Sequence, residues 1–304
     1  MSQKRLPKYK RAKIPVPLRL QERDKEIIKL VWEYRFLQAD HISLLLGSNR
    51  KSILRRLQKL YHNRYLQRIY FPIVLFQGGS EKPIYALDRK GAEILTEELG
   101  IPPEKLDWTD EKNKVKERYL RHALMISNFR VILTCAVREI QPWVELLFWR
   151  QGKELKDEVF FEEETPFEVR ERRVAVVPDA LFCLEDKRQG KEGKMYFFLE
   201  ADRSTMTTKR FLWKMRGYWD YWKQGKVEER YGFKNFRVLV LTKSSQRRDS
   251  LCQTTQKADD RQIGSYMFWF ATQEDLKLEE PLSVFQKIWK TPVLKDQSFH
   301  SLLE

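Results

Sequence analysis

Apolar residues recur with a helical period in the first third of the chain and with a strand period further on. From Glu22 to Tyr34, Ile27, Leu30, Val31 and Tyr34 fall at i, i+3, i+4 and i+7, the spacing that lines one face of an α-helix. A second helix is predicted from about Ala39 to Leu46, with Ile42, Leu45 and Leu46 turned inward and Gly47 as its stop. Ser48-Asn49 supplies cap candidates for a third helix, from about Arg50 to Asn63. There Ile53, Leu57 and Leu60 form the apolar stripe, and Lys51, Arg55, Lys59 and His62 fall on the opposite face.

After the third helix, Tyr65 to Tyr70, an apolar run to Phe76, the turn residues Gln77 to Ser80 and a return strand Ile84–Leu87 read as a β-hairpin. A further helix runs from about Arg89 to Glu98. Three short helices closed by a basic one and followed by a hairpin make residues 20–99 resemble winged helix-turn-helix DNA-binding domains. That resemblance implies Lys51, Arg55, Lys59 and Arg50 as DNA contacts. A charged face is also what any solvated helix shows, and wings of this kind serve protein contacts as well.

Charge sharpens the picture. The chain has 304 residues and a formal net charge of +15, and residues 1–100 hold 21 Lys+Arg against 10 Asp+Glu. The first third thus carries +11 of the surplus. Residues 1–19 contain seven basic residues, three prolines and no acid, which reads as a flexible basic arm suited to nucleic-acid phosphates.

Residues 100–114, opening Gly100-Ile101-Pro102-Pro103, read as a linker to a second domain over 115–304. A long helix is predicted from about Val115 to Glu139, with His122 on or beside its apolar face. Past Pro142 the period changes to strands: Val144–Phe148, a segment around Val159–Phe161, Arg173–Val177 leading into Pro178-Asp179, Ala180–Leu184, and Met195–Leu199 running into Glu200-Ala201-Asp202. Alternate residues on a strand share a face, so Glu200 and Asp202 point the same way, with Asp179 opposite. A helix from about Thr207 to Lys226 follows, with Phe211, Met215, Trp219 and Trp222 expected against the sheet and Lys214 and Tyr218 on a neighbouring edge. A buried strand Phe236–Leu241, a helix within Ser244–Asp260 and a strand Ser265–Ala271 complete an α/β domain with a mixed central sheet. Arg247 and Arg248, in that helix, are either backbone-phosphate contacts or solvated.

A strand ending in Pro-Asp, a turn and a strand ending in Glu-x-acid resemble the PD-(D/E)XK nuclease superfamily. Two or three carboxylates brought together this way bind Mg²⁺ or Mn²⁺ while a phosphodiester supplies further ligands. The resemblance implies Asp179, Glu200 and Asp202 as metal ligands. It departs at Asp202, which stands where the superfamily has lysine, so that Lys214, or else Lys209, is the substitute that contacts phosphate or the attacking water. Read as one run, Asp179, Glu200, Asp202, Arg203, Lys214 and Tyr218, with the preceding winged helix and His122, resemble the replication-relaxation family of plasmids and mobile elements. This implies a cytoplasmic, magnesium-dependent endonuclease or nickase acting on double-stranded DNA, with Arg203, Lys209, Tyr218 and His122 as accessory residues and a homodimer or replication and mobilisation proteins as partners. A non-catalytic replication initiator or transcriptional regulator with an inactive nuclease-like domain fits the same residues.

Other classes are disfavoured. No phosphate loop, GxGxxG, HExxH or GxSxG motif occurs. The three cysteines, Cys135, Cys183 and Cys252, lie far apart in apolar sequence and read as reduced core residues, and the four histidines never cluster as a zinc site would need. No apolar run reaches the roughly 18 residues of a membrane span.

Overall fold

The computed structural model describes residues 6–14, 17–71, 82–164, 169–190, 192–204 and 206–304. The chain forms two compact units, Met1–Val131 and Ile132–Glu304. The expected hairpin tip, from the apolar run to Phe76 through the turn 77–80, lies outside the described residues.

In the first unit α1 (Glu22–Tyr34), β1 (Leu37–Gln38), α2 (Ala39–Leu45), α3 (Arg50–His62), β2 (Leu66–Ile69), β3 (Ile84–Leu87), α4 (Arg89–Glu97) and a short α5 (Pro103–Leu106) follow one another. The helices begin where local chemistry satisfies their first amides: the Gln21 amide donates to Asp24 Oδ2 at 2.8 Å, and Asn49 Oδ1 accepts from the Lys51 amide at 2.9 Å. The strands form an antiparallel sheet in the order β1-β3-β2. Ile53, Leu57 and Leu60 are fully buried, as their spacing predicts. Asp24, itself fully buried, takes the Arg56 guanidinium, which stitches α1 to α3.

His62 corrects the sequence reading, for it is buried rather than placed with the basic face. The cause is the N-terminal segment: the Ala12 amide donates to His62 Nδ1 at 3.0 Å, the Lys8 carbonyl accepts from Arg68 and the Tyr70 hydroxyl, and Arg11 pairs with Asp88. Residues 103–113 also lie on this unit, since Trp108 and Asn113 both donate to the Leu87 carbonyl.

Helix α6 (Glu117–Glu139) contains the boundary between the units. Among the described residues it is the one helix long and apolar enough to cross a membrane, but 61% of that stretch is buried inside the protein, as in a core helix.

The second unit continues with β4 (Val144–Arg150), β5 (Asp157–Glu164), β6 (Val169–Val176), β7 (Ala180–Asp186), β8 (Gly193–Ala201), α7 (Thr208–Lys223), α8 (Lys226–Tyr231), β9 (Arg237–Thr242), α9 (Ser245–Thr255), β10 (Phe268–Thr272), β11 (Trp289–Lys290) and β12 (Phe299–His300). Seven strands make a mixed sheet in the order β12-β11-β10-β9-β8-β7-β4. Strands β8, β9 and β10 are parallel, and β7 is antiparallel to both β8 and β4. The strand expected to run into Pro178-Asp179 instead leaves the sheet: β6 pairs with β5 as a separate two-stranded ribbon.

Helix α7 packs on both the sheet and that ribbon, which changes its buried row. Phe211 and Met215 are buried as expected, but Tyr218 and Tyr221 complete the row while Trp219 and Trp222 are half-buried. Tyr221 reaches the ribbon, where its hydroxyl donates to Asp157 Oδ2 at 2.7 Å. Gly217 sits in mid-helix because a Cβ there would meet Val174 Cγ1 of β6 at 2.8 Å. The three cysteines are buried and unbridged, and burial pushes the thiols of Cys183 and Cys252 up to about 11.

Candidate functional site

Antiparallel pairing of β7 with β8 sets Ala180 against Leu199, which places Asp179 beside Glu200 where β7 begins and β8 ends. The Asp179 amide donates to the Leu199 carbonyl at 3.0 Å, and its Oδ2 accepts from the Ala201 amide at 2.8 Å. Glu200 is 4% exposed. Its Oε1 accepts from the fully buried Tyr218 hydroxyl at 2.5 Å, and its Oε2 takes the Lys214 ammonium. Lys214 and Tyr218 are four residues apart on α7, so one helical face delivers both donors to one carboxylate.

Burial and the nearby charge of Asp179 push the Glu200 carboxyl up to about 7, against the opposing pull of Lys214 and the Tyr218 hydroxyl. Burial alone would lower Lys214, but the charges of Glu200, Asp179 and Asp202 outweigh it and hold its ammonium above the ordinary lysine range. Burial and Glu200 together raise the Tyr218 phenol well above its usual value. The site therefore favours a charged lysine and a neutral tyrosine donor, beside a glutamate that takes up a proton more readily than an exposed one.

Asp202 is engaged elsewhere. Its carboxylate is clasped by Arg247 of α9, Nε to Oδ2 at 2.8 Å and Nη2 to Oδ1 at 3.2 Å, while Oδ2 also accepts from the Ser204 amide. Arg247 donates in addition to the Met206 carbonyl at 2.8 Å, so it ties the loop between β8 and α7 to the first turn of α9. The expectation of a phosphate-facing or solvated Arg247 is thereby corrected. Arg248 likewise pairs with Asp249 and lies over the Phe299 ring.

The structure thus gathers Asp179, Glu200, Lys214 and Tyr218, and sets Asp202 beside them with an arginine partner that sequence reasoning missed. The signal for it was present, because in a parallel crossover the first turn of the helix after β9 comes to the carboxyl end of neighbouring β8. Arg203 is half-buried in the loop, Lys209 is exposed on the first turn of α7, and His122 is half-buried on α6 in the first unit. Among the described residues no three His, Cys, Asp or Glu side chains form a metal-holding group. Asp179 lies near enough for its charge to raise the Glu200 carboxyl, but both Glu200 oxygens already have partners, the Tyr218 hydroxyl and the Lys214 ammonium. Asp202 does not suit a third ligand while both its oxygens face Arg247.

On the first unit, Lys51 and Arg55 are exposed on the outer face of α3 and Lys59 is half-exposed. Arg50 pairs with Asp40, which also takes Lys82.

These features describe a mixed α/β protein with a large mixed sheet and an acid-lysine cluster at the carboxyl end of its parallel strands. The chain matches the replication-relaxation family over residues 28–236 and belongs to that family. The family's description points to a role in replication or relaxation. No curated protein matches the chain, and no solved structure does.

Proposed function

We propose that this chain is a cytosolic DNA-binding protein of plasmid or mobile-element replication that nicks duplex DNA. In this reading the first unit is a winged helix-turn-helix that lays α3 on the duplex through Lys51, Arg55 and Lys59, with Arg50 beside them. The second unit is a PD-(D/E)XK nuclease-like domain. The observation that carries the reading is the pairing of Asp179 with Glu200 across β7 and β8, with Lys214 delivered to Glu200 from the following helix.

Each group has work that its surroundings suit. Lys214 remains charged and offers an ammonium to a phosphodiester oxygen, where developing negative charge is stabilised. Tyr218 orients Glu200 from its buried side. Glu200, ionised, would be the carboxylate that a cation shares with Asp179, its charge steadied by Lys214 and Tyr218. Asp179 and Glu200 would hold Mg²⁺ or Mn²⁺, which would supply Lewis-acid polarisation of the phosphate. Arg247 keeps the loop between β8 and α7 in place.

A second reading, a DNA-binding initiator or regulator with an inactive nuclease-like domain, is favoured by one observation: Lys214 and Arg247 already neutralise Glu200 and Asp202. Incubating supercoiled plasmid with the protein and Mg²⁺ or Mn²⁺ separates the two. Nicked circles that disappear with Asp179→Asn and with Glu200→Gln support the enzyme. Supercoils left equally intact by wild type and variants, across metals and target DNAs, sink it.

A further inference from the structure

We propose that a groove at the far end of β8 from Glu200 binds the bases of an unpaired DNA strand. This rests on the DNA-acting reading above and adds a second kind of DNA contact to it. The groove has a volume of about 400 Å³ and lies where β8, β9 and β10 begin, closed on one side by the second half of α7. Lys194 and Glu200 are six residues apart along β8, so roughly 20 Å of strand separates groove from acid site.

Its lining has the two elements that hold single strands without reading sequence: flat aromatic faces for bases and positive charge for phosphates. Tyr196, Trp219, Trp222 and Tyr266 line it. The two indoles sit with ring centroids 5.2 Å apart, and Tyr266 is 54% exposed. Trp219 and Trp222 are also the residues that the burial pattern of α7 leaves half-buried, although their spacing predicts a place in the core. Lys194 stands exposed at the rim, and among the described residues no acidic side chain lines the groove. An exposed ammonium beside ring faces favours an anionic, ring-bearing ligand over an apolar peptide. Duplex DNA, with its bases stacked and paired, has no free ring faces to offer.

The test uses the full-length protein and two fluorescently labelled probes at one salt concentration, an oligothymidylate and a hairpin duplex, read by anisotropy. The combined Trp219→Ala and Trp222→Ala variant is expected to lose about tenfold or more in oligothymidylate affinity while duplex affinity stays within about twofold. The Trp219→Phe and Trp222→Phe variant, which keeps an aromatic face, should retain most of the single-strand affinity and serves as the control for folding. Lys51→Ala with Arg55→Ala should show the reverse selectivity. Oligothymidylate affinity that is absent in wild type, unchanged in the alanine variant, or lost equally with duplex affinity while the phenylalanine variant behaves like the alanine one overturns the groove. Failure of wild type to bind the duplex overturns the broader DNA-binding reading instead, so the two failures are distinguishable.

Discussion

Arg247 lies across both carboxylate oxygens of Asp202, at 2.8 and 3.2 Å, with the arginine side chain 16% and the aspartate side chain 6% exposed. A pair this sheltered is costly to break from one side, because the remaining charge is left buried without its counter-ion. Arg247→Gln should therefore lower unfolding stability by about 3 kcal/mol in chemical denaturation. Combined with Asp202→Asn it should cost clearly less than the two single changes added together, a coupling of about 1 kcal/mol or more. Additive effects would mean that the clasp carries no net interaction.

Glu200 gives the fold a pH dependence of defined sign. Its folded carboxyl is pushed up to about 7 from an ordinary value of 4.5, so between those limits the folded protein keeps a proton that the unfolded chain has released. The group's contribution is most favourable below the lower value, falls as pH rises through the window, and leaves a penalty of about 3 kcal/mol above it. Denaturation of wild type and Glu200→Gln at about pH 5 and about pH 8 reads this directly, with a flatter profile expected for the variant. Parallel profiles would show that Glu200 is ionised throughout.

Gly217 faces β6 where α7 crosses the ribbon. In an unhindered helix alanine is favoured over glycine by about 1 kcal/mol. Here a Cβ would come within 2.8 Å of Val174 Cγ1, so Gly217→Ala should be net destabilising by about 1 kcal/mol. Val174→Ala in the same chain should recover the helical gain. A Gly217→Ala protein that melts higher than wild type would show that the ribbon yields.

Lys51→Ala with Arg55→Ala removes two exposed charges from the outer face of α3. If both meet phosphates, duplex affinity should fall and the slope of log affinity against log salt should flatten by about 2. An unchanged slope would move the contact to the N-terminal segment or the hairpin.

Much of this was legible in the residue pattern, and the failures have physical causes. The stripe Ile53, Leu57, Leu60 foretold α3 because its helical spacing meets a single apolar surface. The acids Asp179 and Glu200 could be brought together because two antiparallel neighbours joined by a short turn leave little choice of register. His62 was misplaced because its cover, Ala12, comes from a distant segment that no helical wheel includes. Tyr218 and Tyr221 displaced the tryptophans from the core because α7 serves two surfaces at once, and a single-period reading allows for one. Arg247 was hidden by distance along the chain, 45 residues from Asp202, although the parallel crossover makes them neighbours.

Asp88 accepts from the Arg89 amide with one oxygen, starting α4, and holds Arg11 with the other. The N-terminal segment is therefore wired into a helix start as well as presenting charge. Trimming it would remove an internal counter-ion together with the residues that cover His62, so a truncated protein that binds DNA poorly would mix lost attraction with a loosened scaffold. Charge reversal at exposed Lys10 or Lys13, which leaves Arg11 and Ala12 in place, isolates the electrostatic part.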